Sequence, residues 1–191
     1  SDVYKRQAIS DQRDGTPNGY HVLEVDSTDV SVRFKAAGKP ANFQMRIMYD
    51  VMHHQQRKDA IRDSLHGTTL DGFMSEDEVA AASILVNLFD GGPKSKVSYR
   101  VNDGNYIPMQ RVLRTDPYIV EQFQRYESVK KSWVQATDST HIFSADLDDS
   151  ISRGTHTVTV RAIDEFGRVH HGHSILEITG GMRGTEAGLK Y

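Results

Sequence analysis

The chain has 191 residues, 23 basic against 26 acidic side chains, a formal net charge of -3 and 37% hydrophobic residues. That balance suits a globular chain of one or two domains with a real core, and it leaves no electrostatic footprint for nucleic acid. The absence of cysteine excludes disulfides and thiolate metal sites, and no apolar run approaches the roughly 20 residues of a membrane span.

Ser1 to Gln7 resembles the in-frame translation of a transposase end sequence used to prepare sequencing libraries, so residues 1–13 are expected to be a scar and a linker, with the natural protein continuing upstream. Residues 14–38 are expected to form an N-terminal hairpin. In it, Tyr20 to Val25 and Val30 to Lys35 alternate as strands on either side of the polar connection Asp26 to Asp29. Gly38-Lys39-Pro40 breaks the rhythm, and Phe43, Met45, Ile47 and Tyr49 then share one face of a third strand.

Residues 50–78 read as a surface insertion with one or two helical turns. The alanines from Ala80 allow a helix, but Ile84 to Phe89 followed by Asp90-Gly91-Gly92-Pro93 favours a buried strand. Val97 to Val101 and Tyr106 to Val112 flank the turn Asn102 to Asn105, and Pro108 predicts an edge or a bulge. Asp116-Pro117 is an N-cap followed by proline at the first helical position, which predicts a crossover helix over about 118–133. Thr140 to Ala145 resumes strand character. Gly154 to Ile178 reads as a long hairpin turning at Asp164-Glu165-Phe166-Gly167, and residues 180–191 read as a flexible tail. The fold class predicted is all-β: an immunoglobulin-like sandwich of about seven strands over 39–179, because strands with one apolar face need a second sheet to cover it.

An ordered series of motifs carries a family resemblance. Asp14-Gly15-Thr16-Pro17-Asn18-Gly19-Tyr20, Phe34 to Pro40, Val86 to Gly91, Ile107-Pro108-Met109, Asp116-Pro117-Tyr118, Thr140-His141 and the run Gly154 to Gly167 together resemble the C-terminal region of bacterial calcineurin-like phosphoesterases. The resemblance covers about residues 14–179. It implies an exported, extracytoplasmic protein in which a dinuclear-metal phosphoesterase domain precedes this region and packs on it. That domain's metal motifs, Asp-x-His, Gly-Asp-x-x-Asp and Gly-Asn-His-Asp/Glu, are absent, and Gly172-His173-Ser174-Ile175 lacks the second histidine of the last one. The resemblance therefore transfers no catalytic, cofactor-binding or metal residue to this chain, and divalent metals are expected only in the catalytic domain.

Other chemistry is weaker. His171 and His173 lie on one side of a strand, and His156 or Asp164 is available from the neighbouring strand, but a pair of histidines falls short of a zinc site. His53, His54 and His66 read as a solvated face of the insertion. Asp146, Asp148 and Asp149 lack the glycine and terminal glutamate of a calcium loop. No Gly-x-Ser-x-Gly elbow selects a serine. Tyr20, Tyr99, Tyr106, Tyr118 and Trp133 could form an aromatic platform, the mark of the alternative reading: a carbohydrate- or envelope-binding module of a secreted hydrolase.

Overall fold

The structure, a computed structural model, describes residues 11–50 and 72–180. Strands take 51% and helices 9% of these, which makes the chain all-β as expected. Strands β1 (Gly19–Asp26) and β2 (Asp29–Ala36) form a two-stranded sheet of their own. The second sheet is curled and holds β3 (Met45–Asp50), β4 (Phe73–Ser75), β5 (Ser83–Leu88), β6 (Lys96–Val101), β7 (Ile107–Thr115), β8 (Asp138–Asp146), β9 (Gly154–Ile163) and β10 (Val169–Thr179). Its strand order is β3-β5-β8-β7-β6-β9-β10-β4.

This sheet folds over into two facing layers because β7 changes partner. Its residues 107–109 pair with β6, and from Gln110 onward it pairs with β8, with a register shift between Val112 and Arg114. Pro108 sits in the part that pairs on one side only, where its missing N–H is tolerated. Between the layers lies one core. Tyr49, Ile84, Val86 and Leu88 meet Tyr99, Val158, Val160 and Leu176 there, all essentially inaccessible to water. The layers close against each other where β3 meets β10. A Cβ on Gly172 would stand 2.7 Å from Met45 Sδ, so any larger residue there would push the Met45 side chain aside.

Met48, Leu85 and Ile142 point to the other side of the first layer, where Val112 and Tyr118 pack on them. Strand β5 is thus covered on both faces. This explains why Ile84 to Leu88 reads as an almost continuous apolar run and why it settles as strand rather than helix.

Among the described residues two short helices interrupt the strands, α1 (Glu76–Val79) and α2 (Pro117–Arg125). The N-cap of α2 is Asp116 with Pro117 behind it, as predicted, but the helix ends at Tyr126 instead of running to about 133. The reason is lack of cover. Ile119 and Phe123 are buried, whereas Val129 and Trp133, further along the same spacing, are left exposed by the described residues, and the chain continues in turns. Of the other sequence readings, the scar at 1–7, His53, His54 and His66 of the insertion, and the tail beyond 180 lie outside the described residues. The three residues of β4 were expected to belong to that insertion. They instead pair in parallel with β10.

Candidate functional site

The β1–β2 hairpin stands apart from the sandwich, and its alternation gives it two unlike faces. His21, Leu23 and Val25 share one face with Phe34, Val32 and Val30, their cross-strand partners. At the base this face is buried. Phe34 meets Phe89 edge-on at 5.8 Å between ring centroids, and Phe43 lies 5.2 Å from Phe89 on the other side. Gln44 Nε2 donates to the Phe34 carbonyl at 2.9 Å, the Arg168 guanidinium donates to the Val32 carbonyl, and His21 Nε2 lies 3.2 Å from Asp90 Oδ2. Towards the tip no described residue covers it. Leu23 is 62%, Val25 64% and Val30 53% exposed, so a contiguous apolar strip projects into solvent. Beneath it opens a cleft of about 370 Å³ lined by His21, Phe34, Phe89, Asp164, Glu165 and Phe166 among others.

On the far side of the hairpin's base, a second cluster fastens the entering chain. His141 Nδ1 is 2.7 Å from Asn87 Oδ1, and its Nε2 is 3.2 Å from Asp14 Oδ2 and 3.3 Å from Thr16 Oγ1. Asn87 Nδ2 donates to Asp116 Oδ2 at 2.5 Å and to the Asp14 carbonyl at 3.3 Å. Arg46 donates to the Gly15 carbonyl at 2.6 Å, pairs with Asp11 at 3.2 Å and Asp116 at 3.5 Å, and stacks its guanidinium on Tyr118 at 3.7 Å. Gly15, at φ 86°, lies so close over Asp116 that a Cβ there would overlap its carboxylate.

An aspartate, a histidine and a hydroxyl together have the composition of a nucleophilic triad, but the geometry is that of a clamp. Asp14 and Thr16 compete for the same imidazole nitrogen, so the carboxylate does not orient the ring from behind, and Thr16 is too buried for a substrate to reach. The hydrogen bond from His141 pulls the Asp14 carboxyl down to about 2 against partial burial, whereas burial pushes Asp116 up despite Arg46 and Asn87.

A carboxylate held below its unfolded pKa stabilises the fold above that value and loses the contribution as pH falls through the folded one. Asp14 therefore stabilises the domain above its ordinary 3.8, and the contribution fades between there and about 2. With a side chain about a third exposed, the screened contribution is about 1–2 kcal/mol. Asp116 has the opposite sign in acid and is left in place by Asp14→Asn. That variant is accordingly expected to lose about 1–2 kcal/mol at neutral pH and to converge with the parent chain near pH 2, as read by urea unfolding across pH. A gap that stays constant with pH would show that the Asp14 charge plays no part.

The residues weighed for metal binding in the sequence do not come together. His171 and His173 do share the outer face of β10, but His156 lies on the opposite face of β9, bonded to Asn102 Nδ2 at 3.0 Å and the Ser152 carbonyl at 2.8 Å. Asp164 closes the β9–β10 turn, accepting from the Phe166 and Arg168 amides at 2.9 Å, from Arg168 Nε at 2.7 Å, and meeting His170 Nε2 at 3.1 Å. Burial alone would raise its pKa, and the bonds from His170 and Arg168 outweigh that and lower it. Asp148 takes the Ser150 amide and hydroxyl in a local turn, and Asp146 is engaged through its carbonyl by Tyr99. Among the described residues no three histidine, aspartate or glutamate side chains are arranged to hold a metal.

The aromatic candidates scatter too. Tyr99 is in the core, Tyr118 lies under Arg46, Tyr20 is on the hairpin, Tyr106 is beside Arg100, and Trp133 is exposed next to Lys131. Sequence reasoning missed the clamp. Its only sequence signals were the Asp116 cap and the turn-rich Asp14 to Gly19 segment.

Residues 7–170 match the family model described as the C terminal of calcineurin-like phosphoesterase. No curated protein and no solved structure matches the chain.

Proposed function

The chain belongs to the family of C-terminal domains of calcineurin-like phosphoesterases, and from that membership we propose that it is a non-catalytic accessory domain that docks on the phosphoesterase domain through the β1–β2 hairpin. The observation that carries this reading is the bare apolar strip of Leu23, Val25 and Val30. Covering these three side chains is worth about 1.5–3 kcal/mol each, enough to fix the position of one domain on another. The hairpin is the first regular element of the described chain, beside the side from which a preceding domain enters.

The clamp and the aromatic base serve the same end. They hold the strip rigidly on the sandwich, so that docking orders little that is not already ordered. Divalent metals and the hydrolytic chemistry belong, on this reading, to the catalytic domain, whose cleft the hairpin borders. The extracytoplasmic setting that the motif series implies is part of the proposal. It is tested by the accessibility of position 23 in the presence and absence of the phosphoesterase domain: protection supports docking, and unchanged exposure refutes it.

A further inference from the structure

The outer face of the layer formed by β6, β9 and β10 carries a charge pattern that neither the core nor the hairpin explains. Val97 and Tyr99, Val158 and Val160, and Leu176 and Ile178 point inward, so the alternate residues of each strand point out. The register aligns them in rows. Ser98 lies beside Arg161 and Arg161 beside His171, while Arg100 lies beside Thr159 and Thr159 beside His173. Lys96 extends the same face beyond Ser98.

Lys96, Arg100 and Arg161, with His171 and His173 beside them, thus occupy these outward positions in a chain whose net charge is -3, and the one outward carboxylate on these three strands, Glu177, stands at the far end opposite Thr155. Neighbouring strands are about 4.8 Å apart and the two rows about 7 Å apart, so the groups act on one ligand together. Arg100 is pre-positioned by stacking over the Tyr106 ring at 5.2 Å, and its Nε is shut off from water with no hydrogen-bond partner. Among the described residues neither Arg100 nor Arg161 has an acidic partner. Three fixed positive charges, Lys96, Arg100 and Arg161, without a carboxylate beside them among the described residues repel one another and call for an anion of more than one charge.

We propose that this face binds a phosphate-bearing chain, with Arg100 and Arg161 as the principal contacts, and that it holds the phosphoester substrate of the adjoining domain. The guanidinium fork pairs in bidentate fashion with phosphate, and the family's chemistry supplies phosphate esters as substrate or product. The inference rests on family membership and not on hairpin docking, so either can fail alone.

The 191-residue chain, titrated calorimetrically with a short linear polyphosphate, is expected to bind it at least about tenfold tighter than polyglutamate of matched charge. Arg100→Gln combined with Arg161→Gln is expected to weaken binding about tenfold or more. It should also reduce the slope of log affinity on log salt by about 1.4, since each lost phosphate contact removes about 0.7 of a counterion. Thermal stability should stay within about 1 kcal/mol of the parent chain, because Arg161 is exposed and half-buried Arg100 gives up only its packing over Tyr106. Lys131→Gln, beside Trp133, should change nothing. Equal binding of polyglutamate would overturn the phosphate assignment, and an unchanged affinity and salt slope in the double variant would overturn the site.

Discussion

Asp116→Ala is expected to destabilise the domain by about 3–5 kcal/mol, the largest loss of any single polar substitution here. Asp116 is fully buried, and its carboxylate serves three partners. One oxygen caps α2 by accepting from the Tyr118 amide at 2.7 Å, and the other takes Asn87 Nδ2 and faces Arg46. Truncation removes the cap, worth about 1 kcal/mol, and leaves a buried amide without its acceptor at about 1–3 kcal/mol more. It also takes the counter-charge from Arg46, which keeps the Gly15 carbonyl and Asp11. For a domain of this size the loss corresponds to a fall in Tm of roughly 10 °C. Gly15→Ala should do comparable harm from the other side, since its Cβ would fall on the same carboxylate at a φ that suits glycine. A loss under about 1 kcal/mol in Asp116→Ala would mean that the clamp is not a connected unit.

Phe89→Ala is expected to release the hairpin at a local cost of about 3–4 kcal/mol. Phe89 follows directly on β5, stands between Phe34 and Phe43, and has the Arg46 guanidinium 5.6 Å from its ring. A two-stranded hairpin has little stability of its own in water, so β1 and β2 depend on this contact to persist. Hydrogen exchange should show the amides of β1 and β2 losing protection, while those of β5, β9 and β10 change much less. Uniform loss across the sandwich would show instead that the hairpin is an integral part of the core, and the idea of a separately held docking element would fall.

Patterns confined to a short stretch were legible in the sequence. The alternation of Tyr20 to Lys35 gave the hairpin, and Asp116-Pro117 gave the helix start. The helix end was not legible. Spacing alone continues the apolar stripe through Val129 and Trp133, but a stripe extends a helix only where tertiary structure offers something to cover it.

The clamp was illegible for a related reason. Asp14, Thr16, Arg46, Asn87, Asp116 and His141 are brought together by five separate strands and loops, and each alone has an ordinary surface or turn explanation. The basic face needed the register of three strands before Arg100, Arg161, His171 and His173 could be seen side by side. In the sequence, the two histidines were a pair too few for a zinc site and pointed to no other ligand. The registered neighbours, two arginines and a threonine, point to an anion.

The chain's lack of cysteine makes the most direct test of docking simple. Leu23→Cys and, as an exposed reference outside the hairpin strip, Trp133→Cys would each be labelled with a maleimide, first in the 191-residue chain and then in a protein that carries the phosphoesterase domain with its own cysteines replaced. The account predicts fast labelling of both positions in the isolated chain. In the two-domain protein, labelling at position 23 should slow by about tenfold or more while position 133 is unchanged, because only the strip is covered. Equal labelling at position 23 with and without the phosphoesterase domain would contradict it.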